Sequence, residues 1–513
     1  MPKFKKVKKT LRGWFSHPWY PYLIGAYPVL ALLAFNVGQI KLEAGWRALL
    51  VSVLFSILLF FLWRLILRDK YRAAFLSMLW MALVFSYGHA HNALVEQWED
   101  VNFTPWMLIG WLVLAVVAIV WATRPKLSFA TAVLPLNVIA LGLVITSVVQ
   151  ISSGVQKGTG HRLGSDNAPV QDDLTLPADP PDVYYFILDM YTRADLMKSA
   201  YEYDNTPFLQ QLESRGFYVG SCSQSNYTRT ELSLASSLNM SYLQGLDAKF
   251  VPENIGRLRL WDALKHNAVR YNLEQMGYNT IAYANGFPWS ELDDADVFYT
   301  PPPFSSGMTE FETLFLQTTL LGEAQKLGWF NADQIMAQNF RDRDMLVFNS
   351  MDDVVSMPGP KFVYVHLILP HPPFVFGPNG EHTDPSLFWD ENQRYPSDKL
   401  AEGYKNQVTF LNQKMLAMLD TILEQSSTPP IIVLQGDHGP WSQPNPQHFY
   451  ILNAYHLPGH NDELYPNISP VNTFRLIFND YFGGKYDMLK DTSYYSPVPN
   501  LYNFRTVSYN CPQ

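Results

Sequence analysis

DVYYFILD, residues 182–189, is the stretch on which the fold of most of this 513-residue chain turns. Its six central residues are aromatic, β-branched or leucine with no polar alternation, which is how a strand buried on both faces of a parallel sheet reads. The same texture recurs in NTIAYA (279–284), KFVYVHLIL (361–369) and PIIVLQ (430–435), with amphipathic helical stretches at 206–214, 260–276 and roughly 400–425 between or beside them. Strands alternating with helices predict an α/β domain with a largely parallel central sheet. Two of these strands end alike: YYFIL runs into Asp189, and IIVLQG runs into Asp437-His438-Gly439. Ligands of open α/β sheets bind beyond the carboxyl ends of the strands, so these residues stand where a site forms.

Working towards the N-terminus, residues 151–181 are rich in Gly, Ser, Asp and Pro and read as an exposed linker. Before it, residues 19–40, 46–67, 71–94, 106–124 and 128–150 are mostly apolar runs near the roughly 20 residues that cross a bilayer. The expected organisation is a membrane domain of five transmembrane helices (1–150), a linker (151–181) and a catalytic domain (182–513). Basic residues mark the cytoplasmic side of short connections. Here they fall in KFKKVKK near the N-terminus, at Arg68, Lys70 and Arg72, and at Arg124 and Lys126, whereas Glu96, Glu99 and Asp100 lie in the third connection. A multi-pass protein of the plasma membrane follows, with its N-terminus cytoplasmic and everything after residue 150 outside. In that compartment the only two cysteines, Cys222 and Cys511, read either as one disulfide tying down the C-terminal tail or as two buried thiols. A net charge of −9 with no basic stripe beyond the N-terminal cluster excludes a nucleic-acid partner.

Asp189, Asp437 and His438 are a carboxylate and imidazole set that suits Zn²⁺ or Mn²⁺ better than Ca²⁺. Read singly, Asp189 equally fits a helix cap and Asp437-His438 a turn. In SNYTRTELSLASSLNM (225–240), Thr230 opens an apolar helix whose N–H groups and dipole favour an anion, the setting of a nucleophile; Thr228 and Thr230 both also fit a plain helix cap. In LPHPPF (369–374), His371 stands between prolines that orient its ring for proton transfer, or in an ordinary proline-rich turn. His366, inside its strand, reads as a structural histidine.

In this order the motifs resemble the alkaline phosphatase superfamily, in its sulfatase-like branch with lipoteichoic acid synthase and the phosphoethanolamine transferases. FILD-Met-Tyr is similar to the strand carrying the first metal ligand, NYTRTELSLASSLN to the nucleophile segment, LPHPPF to the substrate-side histidine and QGDHGP (435–440) to the second metal motif. LNAYHLPG…SPVNTFRLIFNDYFGG (452–484) is similar to the C-terminal part. The resemblance implies an alkaline phosphatase-like fold. It also implies one divalent ion, Mn or Zn, held by Asp189, Thr230, Asp437 and His438, with Thr230 as nucleophile, His371 as proton donor, and Asn226, Arg229 and His448 at the substrate. Thr230-Glu231-Leu232-Ser233-Leu234 lacks the Cys/Ser-x-Pro/Ala-x-Arg context of the sulfatase formylglycine, and residues 385–415 lack the histidine of a second metal site. The implied activity is therefore transfer of a phosphoryl-linked head group, such as phosphoglycerol or phosphoethanolamine, from a lipid-linked donor to a cell-envelope acceptor. Its rivals are a phosphoester or sulfate-ester hydrolase and an inactive membrane-bound interaction module. Loops at 287–345 and 376–400 are expected to set specificity.

Overall fold

The computed structural model describes residues 16–37, 42–98, 103–125, 127–154, 162–254, 256–302, 308–326, 332–383, 398–440, 446–497 and 500–508. The chain divides into two compact units: residues 1–156 with 308–332, and residues 157–307 with 333–513.

The first unit is built on helices α1 (Tyr20–Phe35), α2 (Trp46–Leu67), α3 (Lys70–Gln97), α4 (Thr104–Thr123) and α5 (Val133–Gly154). Four apolar spans, Trp46–Leu67, Lys70–Val95, Thr104–Thr123 and Ala130–Ser153, are long enough to cross a membrane, whereas α1 is a shorter apolar helix of 16 residues. It stops at Phe35 because the Asn36 side chain folds back to donate to Leu32 O (2.8 Å). Small residues bring α1 and α2 together: Ser56 Oγ donates to Pro21 O (2.8 Å), and Ser52 donates to Gly25 O. Without water to satisfy them, backbone carbonyls in such a bundle take hydroxyl partners at close helix crossings. Asp69 caps α3 by accepting from Tyr71 N and Arg72 N.

The second unit carries a sheet of seven described strands in the order β2-β7-β6-β1-β5-β3-β4. These are β1 (Val183–Leu188), β2 (Tyr218–Val219), β3 (Asn279–Tyr283), β4 (Val297–Tyr299), β5 (Lys361–Leu367), β6 (Ile431–Gly436) and β7 (Asn453–His456). Strands β6, β1, β5, β3 and β4 are parallel, and β7 pairs antiparallel with both β6 and β2. Central β1 aligns Leu188 with Leu367 of β5 and with Gly436 of β6, so three strand ends stop side by side.

The two faces of the sheet follow the period of two. Tyr184, Phe186 and Leu188 pack with Val408, Leu411 and Met415 of the helix Asp398–Gln425. Val183, Tyr185 and Ile187 pack with Leu232, Leu234 and Leu238 of the helix Thr230–Leu238. Asp189, His366 and Asp437 continue the second parity and emerge on the face covered by that helix.

Two segments differ from the expected organisation. The helix expected over 260–276 is two, Leu258–Lys265 and Ala268–Gln275, because Asn267 turns extended (φ −88°, ψ 163°) and its side chain caps Arg270 N. Within the expected linker, Gly164 N donates to His266 O (2.7 Å) and Thr175 N to Phe482 O (2.9 Å), so this stretch is laced along the second unit. Cys222 is disulfide-bonded, so the free-thiol alternative falls away; Cys511 lies outside the described residues.

Candidate active site

At the C-terminal edge of the sheet, Asp189, His366 and Asp437 each place one ligand atom within 4.8 Å of the others. Asp189 follows β1, its own N–H bonded to Leu367 O of β5 (3.0 Å). The next residue, Met190, sits in the left-handed region (φ +66°), a costly conformation for a side chain-bearing residue, and its N–H donates to Asp437 Oδ1 (3.0 Å). That bond uses one oxygen of Asp437. The other, Oδ2, together with Asp189 Oδ1 and His366 Nε2, is buried without a hydrogen-bond partner among the described residues.

His438 Nε2 stands in the middle, 3.7 Å from Asp189 Oδ1, 3.5 Å from Asp437 Oδ2 and 3.2 Å from Thr230 Oγ1. The other ring nitrogen, Nδ1, donates to Gly439 O (2.8 Å). A neutral ring held that way carries its proton on Nδ1 and aims the Nε2 lone pair at the cluster. Two buried carboxylate oxygens converging beside an imidazole lone pair are mutually repulsive, and leaving those carboxylate oxygens unsatisfied is expensive. A divalent cation resolves both problems, so the residues present fit one.

His366 has the opposite polarity. Asn285 Oδ1 accepts from Phe287 N (2.8 Å), which fixes the amide so that Nδ2 donates to Ser290 Oγ (3.0 Å) and to His366 Nδ1 (2.9 Å). With Nδ1 accepting, the neutral ring carries its proton on Nε2, 3.3 Å from Asp189 Oδ2. His366 therefore presents a donor to the site and His438 a lone pair. This corrects the reading of His366 as a purely structural histidine. The strand parity it shares with Tyr364 and the HLILPH spacing to His371 were the signals that could have found it.

Thr230 is the first residue of its helix; Arg229 is the N-cap residue, extended (φ −132°, ψ 137°) and making no side-chain cap bond. Leu232 N and Ser233 N donate to Arg229 O, and among the described residues no side-chain cap bond forms from Arg229, so the Thr230 and Glu231 N–H groups at the helix start stand where an anion is favoured. Thr228 is buried, and it is Thr230 that meets His438. His371 is half-buried with Nδ1 on Pro372 O, and its main chain is held by Gln407 (Nε2 to His371 O, 3.2 Å). Burial raises the Asp189 carboxyl, but attraction to His371, His366 and His438 when those rings are protonated, with a hydrogen bond from His366, outweighs it and lowers the carboxyl to about 2.

The three residues expected at the substrate part company. Arg229 is half-buried beside Thr230, its guanidinium pulled down by burial. His448 O accepts from Gly439 N (2.6 Å), so its single turn (Gln447–Phe449) abuts the Asp437-His438 loop. Asn226 is a correction: fully buried, it donates to Ser469 Oγ and Thr492 O (3.0 Å each) and accepts from Val471 N (2.8 Å). Both of its N–H donors are spent on the protein, so it has none to offer a phosphoryl oxygen, and it braces the nucleophile segment against the C-terminal helix Pro470–Phe482.

A parallel sheet with a buried carboxylate and imidazole cluster at its carboxyl edge, beside a threonine at an uncapped helix N-terminus, defines an enzyme domain of the alkaline phosphatase superfamily. More narrowly, the chain belongs to the sulfatase family, whose sequence profile matches residues 181–481. No curated protein matches the chain by sequence. Among solved structures it is similar to the C-terminal periplasmic domain of EcEptC from Escherichia coli, at 15% identity and a TM-score of 0.40, covering 64% of this chain and 93% of that one. It is also similar to the integral membrane lipooligosaccharide phosphoethanolamine transferase A of Neisseria meningitidis, at 12% identity and a TM-score of 0.38, covering 90% and 94%. A third likeness is to the phosphonate monoester hydrolase of Agrobacterium radiobacter, at 13% and 0.38, covering 63% and 82%.

Proposed function

We propose that this sulfatase-family enzyme transfers a phosphoryl-linked head group from a lipid-linked donor to a cell-envelope acceptor through a covalent intermediate on Thr230. The observation that carries the reading is the meeting of Thr230 Oγ1, an uncapped helix N-terminus and the Asp189, Asp437 and His438 cluster. Asp189, Asp437, His438 Nε2 and the Thr230 hydroxyl would hold one divalent ion, Zn²⁺ or Mn²⁺ by the chemistry of the donor set. When bound, such an ion lowers the pKa of a hydroxyl it touches and offsets charge on phosphoryl oxygens.

The remaining steps belong to the chain itself. Thr230 Oγ1 attacks phosphorus in line, forming the Oγ1–P bond as the bond to the leaving oxygen breaks. The helix N–H groups and the His366 Nε2–H donate to the phosphoryl oxygens, where negative charge accumulates. Thr230 gives up its hydroxyl proton to solvent as it becomes the nucleophile, and His371 supplies one to the departing oxygen. The acceptor hydroxyl then attacks phosphorus, handing its proton to His371 as the Oγ1–P bond breaks, and Thr230 Oγ1 recovers a proton from solvent.

Transfer is favoured over hydrolysis by the apolar helices, which keep the enzyme where lipid donors reside. The basic residues of the short connections support a cytoplasmic N-terminus and an extracytoplasmic site. Intact-protein mass spectrometry after incubation with phosphatidylglycerol or phosphatidylethanolamine vesicles tests the reading. A head-group mass mapped to Thr230 and lost on adding acceptor supports it. No adduct under any condition sinks covalent catalysis, and free head group released without acceptor makes the enzyme a hydrolase.

A further inference from the structure

We propose that residues 308–332 are a second membrane anchor, so that the catalytic half is tied to the helical bundle by this docked segment as well as by the linker after α5. The segment lies in sequence between β4 and β5, both strands of the catalytic sheet, yet it forms one compact unit with residues 1–156. The chain therefore passes between the units at 156/157, at 307/308 and at 332/333.

The docking is specific on both sides. The helix Glu310–Gln317 opens with a capping box in which Thr309 and Glu312 satisfy each other's N–H groups. Glu312 also takes a two-pronged ion pair from Arg47 at the start of α2 (Nε to Oε1, 2.7 Å), and Arg and carboxylate forks of this kind fix orientation. Phe311 is 1% exposed among Val29, Leu33, Ala48 and Ile151, which come from α1, α2 and α5, and Phe315 meets the Phe85 ring at 5.5 Å.

The decisive contact is at Gly88. Its N–H donates to Thr318 O (3.1 Å), and a Cβ there would lie 2.3 Å from Gln317 O and 2.5 Å from the Thr318 carbonyl carbon. Any side chain at 88 would collide with main chain, which cannot swing away as a flexible side chain can. A glycine in a membrane helix lets another backbone approach closely, and here the backbone that approaches comes from the catalytic half of the sequence. Gly110 in α4 meets nothing within 4 Å and so provides a matched control.

A protease site inserted into residues 155–161 of the full chain tests this. After cutting in isolated membranes and an alkaline carbonate wash, the fragment from residue 162 onward is expected to sediment in the same proportion as uncut protein. Its release to the supernatant overturns the proposal. In the cut protein, Gly88→Leu on the bundle side and Phe311→Asp on the segment side are each expected to release the fragment, whereas Gly110→Leu retains it. Retention in both docking variants shows that some other contact holds the fragment and equally overturns the proposal. Sedimentation of every uncut variant checks that the bundle has inserted.

Discussion

The opposed polarity of the two buried histidines makes a prediction that separates ligand from donor. His438 Nδ1 is spent on Gly439 O, leaving Nε2 as a lone pair among two orphan carboxylate oxygens; His366 Nδ1 accepts from Asn285, leaving Nε2–H as a donor. Replacing His366 with Ala should therefore leave metal content unchanged and remove one hydrogen bond to a charged phosphoryl oxygen. Such a bond contributes about 1.5–3 kcal/mol. At 1.36 kcal/mol per tenfold, that is a fall of roughly 10- to 150-fold in kcat/KM. His438→Ala should empty the site, with a loss of metal affinity exceeding the roughly 10- to 100-fold typical of removing a mere orienting partner. Asn285→Leu frees the His366 ring to change tautomer and should lower activity within that same roughly 10- to 100-fold range, again with metal retained. Metal content by elemental mass spectrometry, titration calorimetry with Zn²⁺ and Mn²⁺, and head-group transfer rates supply the measurements. If His366→Ala loses the ion while His438→Ala keeps it, the tautomer argument is wrong and the two roles must be exchanged.

Other outcomes follow from single features. Thr230→Ala should abolish the covalent adduct while the protein still binds a divalent ion through Asp189, Asp437 and His438, which calorimetry and intact-mass measurement check together. Asp344 is fully buried, and burial pushes its carboxyl up to about 7 against the opposing pull of Arg343. Its folded value lies above the unfolded one, so folded protein holds the proton that unfolded chain releases, and stability is lost as pH rises from about 4 to 7. The three-unit gap corresponds to a loss on the order of 4 kcal/mol at most, and Asp344→Asn should flatten that part of the curve of denaturation midpoint against pH. An unchanged slope in the Asn variant would place the titrating group elsewhere. His266 is the reverse case: burial lowers its pKa, but hydrogen bonds to Asp262 and Asp294 win and leave it raised. Its contribution is present at low pH and fades as pH rises through that raised value, a fade that His266→Gln should remove from the melting profile. Cys222→Ser breaks the disulfide and should cost about 2–5 kcal/mol, a drop that a reductant reproduces in wild-type protein but not in the variant.

By itself the sequence determined the elements whose signals are local. Unbroken apolar runs mark β1, β5 and β6, and the four apolar spans, because burial on both faces or in lipid leaves no room for polar residues. The acidic ends at Asp189 and Asp437 were legible for the same reason, since each terminates a run that can be counted. What only the tertiary structure decided is which distant groups meet. His366 looks like one more residue of a buried strand until β5 is seen beside β1, ending level with it and turning the parity of Asp189 towards the same helix. Asn226, one step from a candidate nucleophile, looks available until the C-terminal helix arrives to consume its amide. Residues 308–332 fall within the stretch 287–345 that reads as a specificity loop; Gly88 and Arg47, far away in sequence, decide that this part of it packs with the apolar helices. Periodicity records the environment each residue needs, whereas partnership across more than two hundred residues depends on strand order and register, to which no local pattern is sensitive.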